Sequence, residues 1–153
     1  MNEILHATVG DAEEILEFQR LAYQSEAIIY NDWSIPPLTE SLEQIREEFS
    51  RCTFLKLNAS GRIIGSVRVL VKDESCEIGR LIVHPDFQGK GIGTKLMLAV
   101  EKEFPAVTRF GLFTGSRSER NICLYEKLGY KILDQRPLSE LVELVVMEKC
   151  RQE

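Results

Sequence analysis

The sequence has no apolar run long enough to cross a bilayer, no C-x-x-C pair among its four cysteines, and no repeat or low-complexity stretch. Each absence excludes something. A spanning helix needs about 20 consecutive apolar residues, so a soluble protein with no membrane partner is expected. Cys52, Cys76, Cys123 and Cys150 lack redox or metal spacing, and no charged-then-apolar leader precedes Asp11. A reducing cytoplasm is therefore the expected compartment, and no metal site is expected. Excess positive charge is missing too: the net charge of −5 disfavours nucleic acid as a partner. Its distribution is uneven. Residues 1–50 hold eleven acids against Arg20 and Arg46, a net of −9, whereas the other 103 residues carry seventeen bases and thirteen acids, a net of +4. A polyanion on the basic part and a cationic amine near the acidic part would suit this asymmetry. The plainer account of most of these acids is that they solvate two amphipathic helices.

With 153 residues, 44% of them hydrophobic, the chain can bury one substantial core, and a single domain over 1–153 is expected. Ile4 to Thr8 is predicted as a strand. Asp11 is placed to cap a helix fading near Gln24, and Ser25 to Pro37 is predicted as a loop closed by Pro36-Pro37. Thr39 or Ser41 then caps a helix to about Arg51. Thr53 to Leu57 and Arg62 to Val71 flank a hairpin turn at Asn58–Gly61, and a further strand begins near Cys76. Ile92, Leu96, Met97, Val100 and Phe104 form a helical apolar stripe that Pro105 ends. Thr108 to Thr114 is a strand, Ser118 caps a helix to Leu128, and Gly129 supplies its left-handed end. Tyr130 to Arg136 and Leu141 to Glu148 close the chain as an antiparallel pair.

The most specific stretch is Arg80–Lys95, in which an apolar β-run feeds a glycine-dense turn that opens a helix. Gly89, Gly91 and Gly93 allow the backbone to approach an anion closely, and the first-turn N–H groups of the helix have no internal partners. A phosphate-bearing ligand is expected there. A Walker loop is excluded because Thr94 precedes Lys95, and a G-x-G-x-x-G fingerprint because the third glycine comes one position early.

Gln88-Gly89-Lys90-Gly91-Ile92-Gly93 instead resembles the Gln/Arg-x-x-Gly-x-Gly/Ala signature of the GNAT superfamily of acyl-CoA-dependent N-acetyltransferases. Glu77–Pro85 looks like that family's fourth strand, and Asn121–Tyr130 like its last helix and turn. The resemblance implies an α/β fold of the α+β type: a mixed, mostly antiparallel sheet of about seven strands, with central strands splayed to admit the ligand and about four flanking helices. It implies an acetyl-CoA-dependent N-acetyltransferase that transfers acetyl directly to a primary amine, on a small molecule or a peptide, within a ternary complex. The alternative is a non-catalytic acyl-CoA-binding module; a longer acyl donor is a further variant. A homodimer through the closing strands is implied as well.

Residue by residue, the resemblance implies a general base at Glu77, eleven positions before Gln88, because an amine of reference pKa about 10.4 must lose a proton before attacking a thioester. On a regular strand Glu77 shares a face with Gly79 and Leu81 unless a bulge intervenes. Its alternative role is pairing with Arg68 or Arg80 on a solvated face. His84 is the reserve candidate, with capping of local backbone as its alternative. Tyr125 matches the family's proton donor to the leaving thiolate, and Asn121, one helical turn before it, the side chain that binds the pantetheine arm. The backbone of Leu81, Ile82 and Val83 would pair with the acetyl and pantetheine groups, the N–H of Leu81 serving the oxyanion. N–H groups of Gln88, Gly89, Lys90, Gly91, Ile92, Gly93 and Thr94 would hold the pyrophosphate. Lys90 and Lys95 either add charge or are ordinary surface lysines. Cys123 has no histidine partner in view, so a thiol relay is disfavoured. Tyr30, Trp33, Glu26 and Asp32 either line the amine cleft or anchor a long loop.

Overall fold

A computed structural model describes residues 3–151; residues 1–2 and 152–153 of the expected domain lie outside the described residues. The strands are β1 (Ile4–His6), β2 (Thr53–Ala59), β3 (Arg62–Lys72), β4 (Ser75–Val83), β5 (Arg109–Gly115), β6 (Lys131–Pro137) and β7 (Glu143–Cys150). The helices are α1 (Ala12–Ala22), α2 (Gln24–Tyr30), α3 (Pro36–Thr39), α4 (Leu42–Glu48), α5 (Ile92–Glu103) and α6 (Glu119–Lys127). One seven-stranded sheet runs β1-β2-β3-β4-β5-β7-β6. Among the described residues, β4 and β5 pair in parallel and the other neighbours are antiparallel.

The helices cover the sheet in two layers. On one face, Ile92, Leu96, Met97 and Val100 of α5 bury against Leu55, Leu57, Val67 and Val69, as the predicted stripe requires, with Tyr125 of α6 in the same cluster. On the other, Ala12, Ile15, Leu16 and Phe18 of α1 meet Ile45 of α4, Phe54 and Ile63. Burying each such side chain contributes roughly 1.5–3 kcal/mol. The far end of α5 is closed by Arg151, whose guanidinium donates to the carbonyls of Glu101, Phe104 and Val107 at 2.6–2.7 Å, satisfying acceptors that a helix leaves open.

Two features of the sheet prepare the site. First, β4 and β5 pair only from Ser75↔Arg109 to Ile78↔Leu112. Beyond that, β4 stays with β3 through Val83 and β5 stays with β7 through Gly115, so the two strands part as a wedge. Second, Ser66 faces Ile82 whereas Arg68 faces Gly79, so β4 carries one extra residue. Arg80, at φ 50°, sits in the left-handed region that non-glycine residues seldom occupy. This bulge inverts the alternation. Cys76 and Ile78 before it and Leu81 and Val83 after it join the α5 layer, while Ile82 joins the α1 layer. Glu77 therefore does not share a face with Leu81, which corrects the regular-strand expectation; it lies with Gly79 on the α1 and α4 side.

Other local expectations need adjustment. Ser25–Pro37 is not a continuous loop. Ala27 and Tyr30, spaced one helical turn apart, are buried with Ile35 and Val142, and that burial sustains α2 until Asn31 turns left-handed at φ 51°. Pro36 begins α3, where a missing N–H costs nothing, and the extended residue is Ile35 before it. The hairpin turn narrows to Ser60 and Gly61, both at positive φ, as a two-residue loop between right-twisted strands demands. Asp11 accepts from the Thr8 N–H and pairs with Lys56 at 3.0 Å rather than capping α1. Ser41 does cap α4, exchanging hydrogen bonds with Gln44.

Candidate active site

The glycine turn divides its labour. Gly89 and Gly91 adopt φ 77° and 79°, and a Cβ at either would meet nothing within 4 Å. Their surroundings are open and their conformation favours glycine. Gly93 serves packing instead: a Cβ there would lie 3.2 Å from the Leu124 side chain, so its smallness lets α5 approach α6. With Lys95 N–H bonded to the Gly91 carbonyl, the amides of Ile92, Gly93 and Thr94 precede the first intrahelical bond of α5 and point outward. A cavity of about 250 Å³ adjoins them, lined by Lys90, Gly91, Ile92, Lys95, Leu57 and Phe87. Lys90 stands 5.5 Å from the Phe87 ring. The Gln88 side chain accepts from Arg120, tying the turn to α6.

The wedge begins where this turn's strand leaves β5. His84 N–H donates to Ile64 at 2.8 Å and Ile82 faces Ser66, so both amides point toward β3. Successive N–H groups of an extended strand alternate between its edges; those of Leu81 and Val83 therefore project into the gap that β5 has vacated. Unpaired strand backbone is a template for another extended chain. His84 Nδ1 accepts from the Asp86 N–H at 3.1 Å, and its ring packs against Phe18 and Phe87. This is its local capping role.

Tyr125 is 6% exposed. Burial pushes its phenol well above the ordinary value, with the nearby Tyr23 and Glu26 adding to the shift, so it keeps its proton at any physiological pH. Asn121, one turn earlier on α6, is half-buried and 3.5 Å from the Thr114 hydroxyl. Glu77 is exposed, opposite Leu70 on β3 and Gly111 on β5. Arg68 and Arg80 do not pair with it. Arg68 instead grips Glu40 with both terminal nitrogens, at 2.9 and 3.0 Å.

Of the residues weighed for an amine cleft, Tyr30 is an anchor: it is buried, its hydroxyl lies 2.7 Å from Ser118 Oγ and accepts from Arg117 N–H at 3.0 Å. Ser118 occupies the expected cap position without a capping bond, and its hydroxyl donates to Glu26 at 2.5 Å. Asp32 folds onto Ser34 within its own turn, and Trp33 is 57% exposed. Glu26 is the member of that set whose charge reaches both Tyr23 and Tyr125.

Sequence reasoning missed Gln19, Glu40 and Arg80. Fully buried Gln19 donates to Glu40 and to the Pro37 carbonyl and accepts from Arg68. Burial pushes the Glu40 carboxyl up, but hydrogen bonds from Arg68 and Gln19 and the charges of Arg68 and Arg80 outweigh it and hold the group below the usual carboxylate range. A visible signal existed in Gly79, because a glycine inside a strand often marks a bulge. Among the described residues no group of three or more His, Cys, Asp or Glu side chains is placed to hold a metal, and no helix is long and apolar enough to cross a membrane.

A mixed sheet split between the parallel strands β4 and β5, beside an open glycine turn at the start of α5, is an α/β architecture. The sequence profile of the acetyltransferase (GNAT) family matches residues 12–130, and the chain belongs to that family. The chain is similar to the UPF0157 protein YqkA of Bacillus subtilis (strain 168), with 29% identity over 126 residues, covering 82% of this chain and 36% of that protein. It is 34% identical over 83 residues to an acetyltransferase of Pectobacterium atrosepticum, covering 53% and 59% of the two chains. It thus spans only part of the length of these curated relatives. Among solved structures, the PaiA N-acetyltransferase of Thermoplasma acidophilum in complex with coenzyme A superposes with a TM-score of 0.82 at 21% identity, covering 98% of this chain and 99% of that one. The ribosomal-protein-S18-alanine N-acetyltransferase of Escherichia coli gives 0.83 at 19%, covering 100% and 96%. At such identities the likeness is one of fold.

Proposed function

We propose that this protein is an acetyl-CoA-dependent N-acetyltransferase that transfers acetyl directly to a primary amine in a ternary complex. The observation that carries the reading is the unpaired β4 edge, continuous along the chain with the open turn at Gly89 and Gly91, with buried Tyr125 in the core cluster against which Leu81 and Val83 pack. The residues present fit the donor. Amides from Gln88 to Thr94, with Lys90, would hold its pyrophosphate, and Leu81 to Val83 and Asn121 its pantetheine arm. The bound thioester supplies the activated acetyl group; the protein supplies position and proton transfer.

Glu77, directly or through a water, takes a proton from the acceptor ammonium so that its nitrogen can bond to the acetyl carbon. The Leu81 N–H meets the oxygen that gains charge, without reorganisation. Tyr125 gives its proton to the sulfur as the carbon–sulfur bond breaks. A raised phenol suits that role, because it is protonated before the step begins.

Thiol release from acetyl-CoA across a panel of amines tests this. Intersecting initial-velocity lines are expected for a ternary complex, and Tyr125→Phe should lower kcat about 100-fold with little change in donor KM. Parallel lines would overturn direct transfer. Acetyl-CoA binding with no turnover on any amine would leave a binding module in its place.

A further inference from the structure

Resting on the acyl-transfer reading, we propose that Arg80 forms an anion subsite selecting acceptors that carry a carboxylate beside the amine. A cavity of about 700 Å³ lies on the α4 side of β4, and its lining includes Arg80, Arg51, Glu40, Glu47 and Glu48. By formal charge such a wall could attract either sign. Hydrogen-bond capacity decides between them.

Glu40 is already spent. Arg68 engages both its oxygens and Gln19 donates to one of them. Glu48 is held by Arg51, again through both oxygens, with Arg68 3.8 Å away. Apart from the exposed Glu47, Arg80 is the charged group left over: its Nε is buried without a hydrogen-bond partner, and its nearest carboxylate, the committed Glu40, stands 3.9 Å off. A guanidinium is charged at every accessible pH and offers five donors in a planar fork that matches a carboxylate. Leaving that Nε unbonded is costly, and the side chain, 22% exposed, lines the cavity where an anion can reach it.

The backbone gives the same assignment. Arg80 is the bulged residue, at φ 50°, and non-glycine backbone held in that region concentrates where a ligand uses it. The bulge directs the guanidinium to the α4 side, while the next residue, Leu81, presents its N–H to the wedge. A carboxylate on Arg80 therefore places a nearby amine of the same small molecule beside the reacting carbonyl. Glu77 and the exposed Glu47 suit the ammonium end of that zwitterion.

The test is binding and turnover of α-amino acids against their matching amides, with wild type, Arg80→Met and Arg80→Lys. Calorimetry in the presence of desulfo-CoA reads binding without chemistry. The acids should bind and the amides should lose about 100-fold, since a buried charged pair with one partner removed commonly loses that much. Arg80→Met should erase the preference and Arg80→Lys restore it in part, while desulfo-CoA affinity stays within about twofold. Acids and amides binding alike, neither binding at all, or a preference that survives Arg80→Met would each overturn the subsite. Loss of desulfo-CoA binding by the wild type would instead strike the acyl-transfer reading, so the two failures are distinguishable.

Discussion

At the scale of single residues, the Glu40–Arg68–Gln19 knot is where charge and stability meet. Arg68 is 8% exposed, and its guanidinium also lies 5.0 Å over the Phe54 ring, so removing Glu40 leaves this cation in the α1 layer with Gln19 and, at 3.8 Å, Glu48 as its remaining partners. Breaking a buried pair in this way costs about 3–5 kcal/mol. Glu40→Ala is expected near that range and Glu40→Gln below it, because an amide oxygen still accepts from Arg68; urea unfolding at neutral pH measures both. The pH dependence has a definite sign. The folded carboxyl titrates below its unfolded value of about 4.5, so its contribution is complete above that value and is lost as acid takes the pH down through the folded one. Wild type should therefore lose its advantage over Glu40→Gln on acidification. A gap that stays constant into acid would contradict the linkage.

At the scale of elements, α2 and β5 are clamped at one point. A Cβ on Gly115 would lie 1.9 Å from the Tyr30 hydroxyl oxygen, which is itself fixed by Ser118 and Arg117. Neither partner can yield without breaking that network, so Gly115→Ala should cost about 1–3 kcal/mol, whereas Gly61→Ala, with nothing within 4 Å, should cost only its left-handed backbone, about 1–2 kcal/mol. Thermal unfolding of Gly115→Ala, Tyr30→Phe and the double variant reports the coupling; additive losses would rule out the clamp. This contact also shows what the sequence could and could not disclose. The strand–turn–helix around Gly89 and the stripe of α5 were legible because local period and turn chemistry determine them. Helix α2 was not, because its burial depends on Ile35 and Val142 arriving from elsewhere in the chain. Gly79 hints at the bulge, but the one-residue offset that fixes it at Arg80 depends on pairing with β3 and leaves no trace in the period of β4, and it decides which face Glu77 and Leu81 present. Asn121 and Tyr125 stand one turn apart on α6 as their spacing required, whereas the hydrogen-bond partners of Arg68 come from α1 and from Glu40 at the end of α3 and could not be read from β3.

At the scale of the whole molecule, the sheet is two plates, β1 to β4 and β5 to β6, joined by four facing residue pairs of parallel ladder from Ser75↔Arg109 to Ile78↔Leu112 and by the helices packed across them. A ligand extended along the free β4 edge would act as the missing neighbour. Binding to the folded state alone stabilises by mass action, about 2.7 kcal/mol at a hundredfold excess over Kd. At roughly 2–4 °C per kcal/mol for a domain of this size, coenzyme A should raise Tm by about 5–10 °C. Hydrogen exchange locates the cause. Ile82 and His84 direct their amides to β3 and should be protected with or without ligand, whereas Leu81 and Val83 face the gap and should slow only when coenzyme A is bound. Gly91→Val separates the turn from the wedge: its side chain enters the open space beside the first turn of α5 and forces a β-branched residue to φ 79°. That variant should lose most of the coenzyme A shift yet keep the free-state exchange pattern of β4. Protection of Leu81 and Val83 in the free protein would mean that the wedge is already closed by the chain itself, leaving no edge for a pantetheine arm to join.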